Sequence, residues 1–197
     1  MKVSVLFSGG KDSALSAVML SRFFRVELVT CSFELLDNWK QAEKVAQELE
    51  LPFYVLTLHR EILEQAAEQT IRDGFPNNGI KYIHQKALEE IAKKEQIIAD
   101  GIRRNDRVPK LSLSEVMRLE DKFKVHYIQP LLGYSRKTIN LLIERYFIIK
   151  EYTSDSFIGA EYEFELRELI QKKYGIKKVQ EIFPQDHTHS IVIKAKI

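Results

Sequence analysis

Apolar residues fall into short runs and helical stripes that alternate along the chain. Val3-Ser4-Val5-Leu6-Phe7 is a β-branched and aromatic run of strand length. Ala14-Leu15-Ser16-Ala17-Val18-Met19-Leu20, apolar nearly all round, reads as a helix packed on both sides. Residues 26–33 give a second strand. Asp37-Asn38 then offers an N-cap for a helix over about 39–50, with Ala42, Val45, Ala46 and Leu49 on its inner face. Pro52 marks the exit into a third strand at 53–58. Helices are expected at about 60–72 and 80–94, separated by the loop Asp73-Gly74-Phe75-Pro76-Asn77-Asn78-Gly79. Ile80, Ile83, Ala87, Leu88 and Ile91 form the apolar face of the second of these. Ile97-Ile98-Ala99 is a short buried strand, Ser112 with Glu115 makes a capping box for a helix to about 124, and 125–128 is a fifth strand. Ser135 can cap a helix running through 147.

Repeated β-α units with short connections imply an α/β fold, a Rossmann-like parallel sheet with helices on both faces. In such sheets ligands sit beyond the carboxyl ends of the strands, where strand order reverses. The chemistry is therefore expected in the loops after Phe7, Cys31, Ile98 and Ile128. From about residue 151 the pattern changes. A helix over 159–174, with Tyr162, Leu166, Leu169 and Ile170 inward, precedes a strand at 190–194 expected to add to a sheet edge. Residues 1–150 thus read as the α/β domain and 151–197 as a short helix-strand extension packed on it.

Composition narrows the class. The 197 residues suit one domain, and the 45% hydrophobic and 29% charged shares are those of a globular chain. A net charge of +2 is too small to imply a polyanionic partner by itself. The single cysteine, Cys31, excludes an intramolecular disulfide and supplies no metal framework. Met1 lies two residues from the first strand and no apolar run reaches membrane-spanning length, so a cytoplasmic protein without a membrane partner is expected.

The richest stretch is Ser8-Gly9-Gly10-Lys11-Asp12-Ser13, a turn from the first strand into the first helix. Its glycines allow close approach of a ligand, and the first-turn N–H groups with the helix dipole favour an anion such as phosphate. Lys11 adds positive charge, and Ser8 and Ser13 add hydroxyls. Asp12 suits a helix start or a magnesium site beside phosphates. A Walker A loop is excluded, because Val5 stands where its first glycine belongs and Asp12 where its Ser or Thr belongs. The hexapeptide resembles the PP-loop, Ser-Gly-Gly-x-Asp-Ser, of the ATP-pyrophosphatase (adenine nucleotide α-hydrolase-like) superfamily, and matches all five specified positions. That resemblance implies a HUP-type fold, ATP with its phosphates on residues 7–13 (Phe7 included), and Mg2+ with Asp12 nearby.

The resemblance also places adenine at the end of the second strand, making Ser32 and Phe33 nucleotide-binding candidates. Cys31 beside them reads as a small buried hydrophobe rather than a nucleophile. After the fourth strand, residues 98–109 carry Arg103, Arg104, Arg107, Asp100 and Asp106. Ala99, Gly101 and Asp106 can be laid on the second ATP motif of the superfamily, Ala-Thr-Gly-His-x-x-Asp-Asp, while Asp100 and Ile102 depart from it. Gly101 permits close backbone approach to ribose or phosphate. Guanidinium groups of Arg103 and Arg107 would offset charge developing on a leaving pyrophosphate, and Arg104 and Asp106 are substrate candidates. Residues 130–139 resemble the stretch after the fifth strand of many relatives: Pro130, Leu131, Leu132, Ser135 and Ile139 match, while Thr138 replaces the usual acid. Arg136 and Lys137, at a helix N-terminus that favours anions, are expected to face one. Asn78 lies where deazaguanine nitrile synthases carry a Pro-x-Arg-Asn stretch. His187 and His189 read as turn residues entering a strand rather than metal ligands.

The implied function is adenylation of an acceptor oxygen by ATP with release of pyrophosphate. The adenylate is then displaced by a nitrogen or sulfur nucleophile, in tRNA base modification or an amidation. Lys11, Asp12, Arg103 and Arg107 carry the catalytic roles. The acceptor is a tRNA or a small molecule, and a homodimer is left open. The alternative is an ATP- or AMP-binding sensor or partner subunit of the universal-stress type, without turnover.

Overall fold

The computed structural model describes residues 1–106, 110–153, 159–184 and 188–196. Strands and helices alternate through β1 (Lys2–Leu6), α1 (Lys11–Leu20), β2 (Arg25–Ser32), α2 (Trp39–Glu48), β3 (Phe53–Thr57), α3 (Arg60–Asp73) and α4 (Asn77–Ala92). They continue as β4 (Ile97–Ala99), α5 (Leu113–Phe123), β5 (His126–Ile128) and α6 (Arg136–Tyr146). The chain closes with β6 (Phe147–Thr153), α7 (Tyr162–Tyr174), α8 (Ile176–Ile182) and β7 (Thr188–Ala195).

β1 to β5 form one sheet in the order β3-β2-β1-β4-β5, every pair parallel. This is the expected Rossmann-like α/β architecture. Strand order reverses between β1 and β4, so a crevice opens at their carboxyl ends. Because both sheet faces are covered, β1 and β2 are buried almost throughout. One apolar layer joins Leu6, Val29 and Ile98 to Leu63, Ile83, Leu88 and Ile91 of α3 and α4. The other joins Val3, Val5 and Leu28 to Leu15, Val45 and Ile139 of α1, α2 and α6. α7 contributes to both, with Leu166 and Leu169 in the first and Phe164 in the second.

Local signals explain most boundaries. The Ser112–Glu115 capping box forms in both directions, and the Ser135 hydroxyl accepts from the Thr138 N–H at 3.4 Å. The Asn38 side chain caps nothing; its Nδ2 donates to the Gly159 carbonyl at 3.1 Å instead. α4 starts at Asn77, inside the expected loop. Three C-terminal features depart from expectation. β7 does not extend the sheet edge; it pairs antiparallel with β6 in a separate two-stranded sheet. β6 begins at Phe147, the expected last residue of the preceding helix, and continues through the β-branched pair Ile148-Ile149. α8 was not anticipated. Among the described residues no helix is long and apolar enough to cross a membrane.

Candidate functional site

The crevice between β1 and β4 deepens into a cavity of about 380 Å3. Its mouth is the β1–α1 turn. Gly9 adopts φ +75°, and a Cβ there would lie 3.1 Å from Ala42 Cα, so only glycine lets the turn lie against α2. Gly10 is the N-cap of α1 and provides no side-chain cap, which leaves the first-turn N–H groups to a ligand or water. Ser8, Gly10, Lys11, Asp12 and Ser13 all line the cavity, with Phe7 behind them. The Ser13 hydroxyl donates to the Gly10 carbonyl at 3.0 Å, tying the turn to its own helix.

The charges at this mouth are already paired. Lys11 Nζ lies 2.5 Å from Asp12 Oδ1, and Arg103 Nε lies 3.1 Å from Asp12 Oδ2. Arg103 also reaches Asp106 at 3.5 Å. Both Asp12 oxygens are therefore engaged by cations, and no group of three or more metal-ligating side chains occurs among the described residues. Asp12 thus holds Lys11 and Arg103 together at the rim.

Gly101 lines the cavity and also packs closely on the start of α1. A Cβ there would lie 2.7 Å from both the N and Cα of Ser13, so the glycine lets the β4 loop pack on the start of α1. Ser32 and Phe33 do not line the cavity. The Glu165 carboxylate from α7 occupies the end of β2. It accepts from the Phe33 N–H at 3.0 Å, the Leu35 N–H at 3.1 Å and the Ser32 hydroxyl at 3.3 Å. Burial raises the Glu165 pKa against these bonds, which favour the carboxylate. The Phe33 N–H, the backbone donor at this strand end, is thus engaged by Glu165.

Of the remaining candidates, Asp106 and Arg136 line the cavity. Arg104 and Lys137 are exposed away from it, and so is Asn78, whose side chain bonds Asp73 at 2.9 Å. Arg107 and His187 lie outside the described residues. His189 lines the cavity and stacks on Tyr152, with Nδ1 3.7 Å from Glu161. Burial opposes its charge, but Glu161, with Glu163 behind, outweighs that and raises its pKa. Cys31 borders the inner end, 2% exposed, and burial pushes its thiol pKa well up.

Sequence reasoning missed the inner wall. Ile80 and His84, one turn apart on α4, face Asp100 of the β4 loop and Tyr162 of α7 across it. His84 Nε2 is 2.9 Å from Asp100 Oδ2. The Tyr127 hydroxyl bonds the same oxygen, and the Ile102 N–H donates to Oδ1 at 3.0 Å. The Tyr162 hydroxyl oxygen is buried and has no partner among the described residues. A histidine on the otherwise apolar stripe of α4 was the readable signal for this wall. Glu161 and Tyr162 offered none.

Residues 1–194 match the model of a family of unknown function, DUF7411. The chain belongs to this family. An uncharacterized protein of Methanocaldococcus jannaschii is 40% identical over 197 residues, spanning 100% of this chain and 97% of that protein. A solved structure from the same organism, described as a predicted subunit of tRNA methyltransferase, superimposes with a TM-score of 0.93 at 39% identity. The match covers 100% of this chain and 98% of that one. The U34-tRNA thiolase NcsA of Methanococcus maripaludis, solved with a 4Fe–4S cluster, is 16% identical with a TM-score of 0.46, over 92% of this chain and 69% of that one. That likeness is too slight to carry an assignment.

Proposed function

We propose that the cavity binds ATP, with its phosphates on the Ser8–Ser13 turn, and that the protein is an ATP-dependent tRNA-modifying enzyme of the PP-loop type. The observation that carries this reading is the uncapped N-terminus of α1 opening into a cavity at the reversal of strand order, with Lys11 and Arg103 at its rim. The match to the PP-loop hexapeptide supports it. The description of the 39% identical solved relative favours tRNA as the acceptor.

In this reading an acceptor oxygen attacks the α-phosphorus and pyrophosphate leaves. A phosphate group competes with Asp12 for Lys11 and Arg103, so these cations turn from the carboxylate to the charge that grows on the leaving group. The ordering is done by the turn, and no protein carboxylate is assigned to a metal. Buried, protonated Cys31 supports a nitrogen nucleophile for the displacement step over one drawn from this chain's sulfur. Calorimetry with ATP, followed by nucleotide analysis after incubation with total tRNA, tests the reading. AMP and pyrophosphate are expected. ADP and phosphate as the authentic products would refute the mechanism, and ATP retained without turnover would favour the sensor alternative.

A further inference from the structure

His84 is a proton acceptor built into the inner wall of the cavity. We infer that its Nδ1 takes the proton released when an amide-type group of the acceptor attacks ATP, with Asp100 and Tyr127 as positioning residues. The inference rests on the ATP reading given above.

The arrangement fixes which ring nitrogen is available. Asp100 is 1% exposed, and its carboxylate accepts from Tyr127 on Oδ2 and from the Ile102 N–H on Oδ1. Its carbonyl accepts from Ser16 of α1 at 2.7 Å, so the residue is anchored on both sides of the crevice. Asp100 Oδ2 faces His84 Nε2 at 2.9 Å, so with a single ring proton held on Nε2 the Nδ1 lone pair is turned to the cavity. Among the described residues Nδ1 has no hydrogen-bond partner, and the side chain is 16% exposed where it borders the cavity. The groups facing His84 are Asp100 from β4, Tyr127 behind it on β5, the edge of the Tyr162 ring at 6.3 Å from α7, and Cys31 from β2 along the same wall. None of these offers a second base to the open side. Asp100 is committed, and burial holds the Tyr127, Tyr162 and Cys31 protons in place.

The chemistry that uses such a base is attack by a lactam, the N–H–C=O unit of a nucleobase. The carbonyl oxygen forms a bond to the α-phosphorus as the bond from that phosphorus to the bridging oxygen breaks, and the electron pair leaves with pyrophosphate. The lactam N–H proton passes to His84 Nδ1. The imidazolium formed is stabilised by Asp100.

The test is pyrophosphate release by the full chain with ATP and total tRNA from Methanocaldococcus jannaschii, alongside calorimetry of ATP binding. His84→Gln is expected to lower turnover by roughly a hundredfold or more while ATP affinity changes less than about threefold. Asp100→Asn, which leaves the ring without its carboxylate, should lower kcat while ATP affinity holds. Thermal melts separate these effects from misfolding. Unchanged turnover in His84→Gln, or parallel loss of turnover and ATP affinity, overturns the inference. ATP binding by the wild type without pyrophosphate release overturns it too, while leaving the nucleotide site standing. No ATP binding at all overturns the parent reading and the inference with it.

Discussion

Gly101→Ala is the sharpest test of how the nucleotide turn is held. The new Cβ would lie 2.7 Å from the N and Cα of Ser13 and 2.9 Å from the Asp12 carbonyl carbon, all backbone atoms. Reaching an ordinary 3.4 Å contact requires the β4 loop and the start of α1 to separate by about 0.7 Å. Neither side can give freely. The β4 loop is anchored by Asp100, and α1 carries Ala14, Leu15 and Ala17, each 0% exposed. Overpacking of this kind costs about 1–3 kcal/mol. For a chain of this length that lowers Tm by roughly 2–12 °C. The displaced N–H groups of the turn are those assigned to phosphate, so ATP affinity should fall by about tenfold or more, the equivalent of one charge-assisted hydrogen bond. Gly133→Ala is the control, because its Cβ would meet nothing within 4 Å. Differential scanning fluorimetry and calorimetry on both variants give the result. A Gly101→Ala protein as stable as the control, with unchanged ATP affinity, would refute the packing argument.

Three further outcomes follow from the buried polar groups. Glu165→Ala strips the acceptor from the buried Phe33 N–H, the half-buried Leu35 N–H and the Ser32 hydroxyl and should cost about 2–4 kcal/mol in urea unfolding, with Glu165→Gln losing less; equal stability of all three proteins would contradict this anchor. The Cys31 thiol should resist a disulfide reagent in the native protein and react only as the chain unfolds, and Cys31→Ser should keep ATP affinity; fast stoichiometric labelling of folded protein would count against burial. His189 has a pKa above its ordinary 6.5, so its pairing with Glu161 contributes fully below pH 6.5 and is lost as pH rises through the raised value. The stability advantage of wild type over His189→Gln should therefore shrink between pH 6 and pH 9, and an advantage that grows would reverse the assignment.

The parallel sheet and its helices were legible because β-branched runs of strand length alternated with amphipathic stripes, and short connections left one economical topology. The turn at Ser8–Ser13 was legible because its glycines and Lys11 lie within six residues of chain. Roles fared worse than positions. Asp12 looked free for a metal, since nothing local shows that Arg103, 91 residues away, closes on its second oxygen. Gly101 looked like a place for ribose, since the sequence does not show that α1 already fills the space a side chain would need. Ser32 and Phe33 looked like a base pocket, since Glu165 lies 132 residues beyond Phe33 and inside a helix whose apolar face, not its acids, drew attention. In each case the deciding partner was distant in sequence.

The last of these reflects how the C-terminal segment forms a wall of the site rather than an appendage to it. β7 is tied to the nucleotide turn through the Val192 N–H, which donates to the Gly9 carbonyl at 3.2 Å, and through the bridge between Gly10 and Ile191. α7 is tied to β2 through Glu165, and one turn before Glu165 stands Tyr162, with Glu161 beside it. On a helix a residue three positions away lies on the same face, so the carboxylate that caps the end of β2 also sets how far Tyr162 reaches into the cavity. Phe164 and Leu166 lie between the anchor points, both 0% exposed, one in each apolar layer. Hydrophobic burial therefore fixes the height of α7 and the buried carboxylate fixes its register. Together they close the β2 side of the crevice and leave the α4 side, with His84, as the open wall on which a ligand can be read.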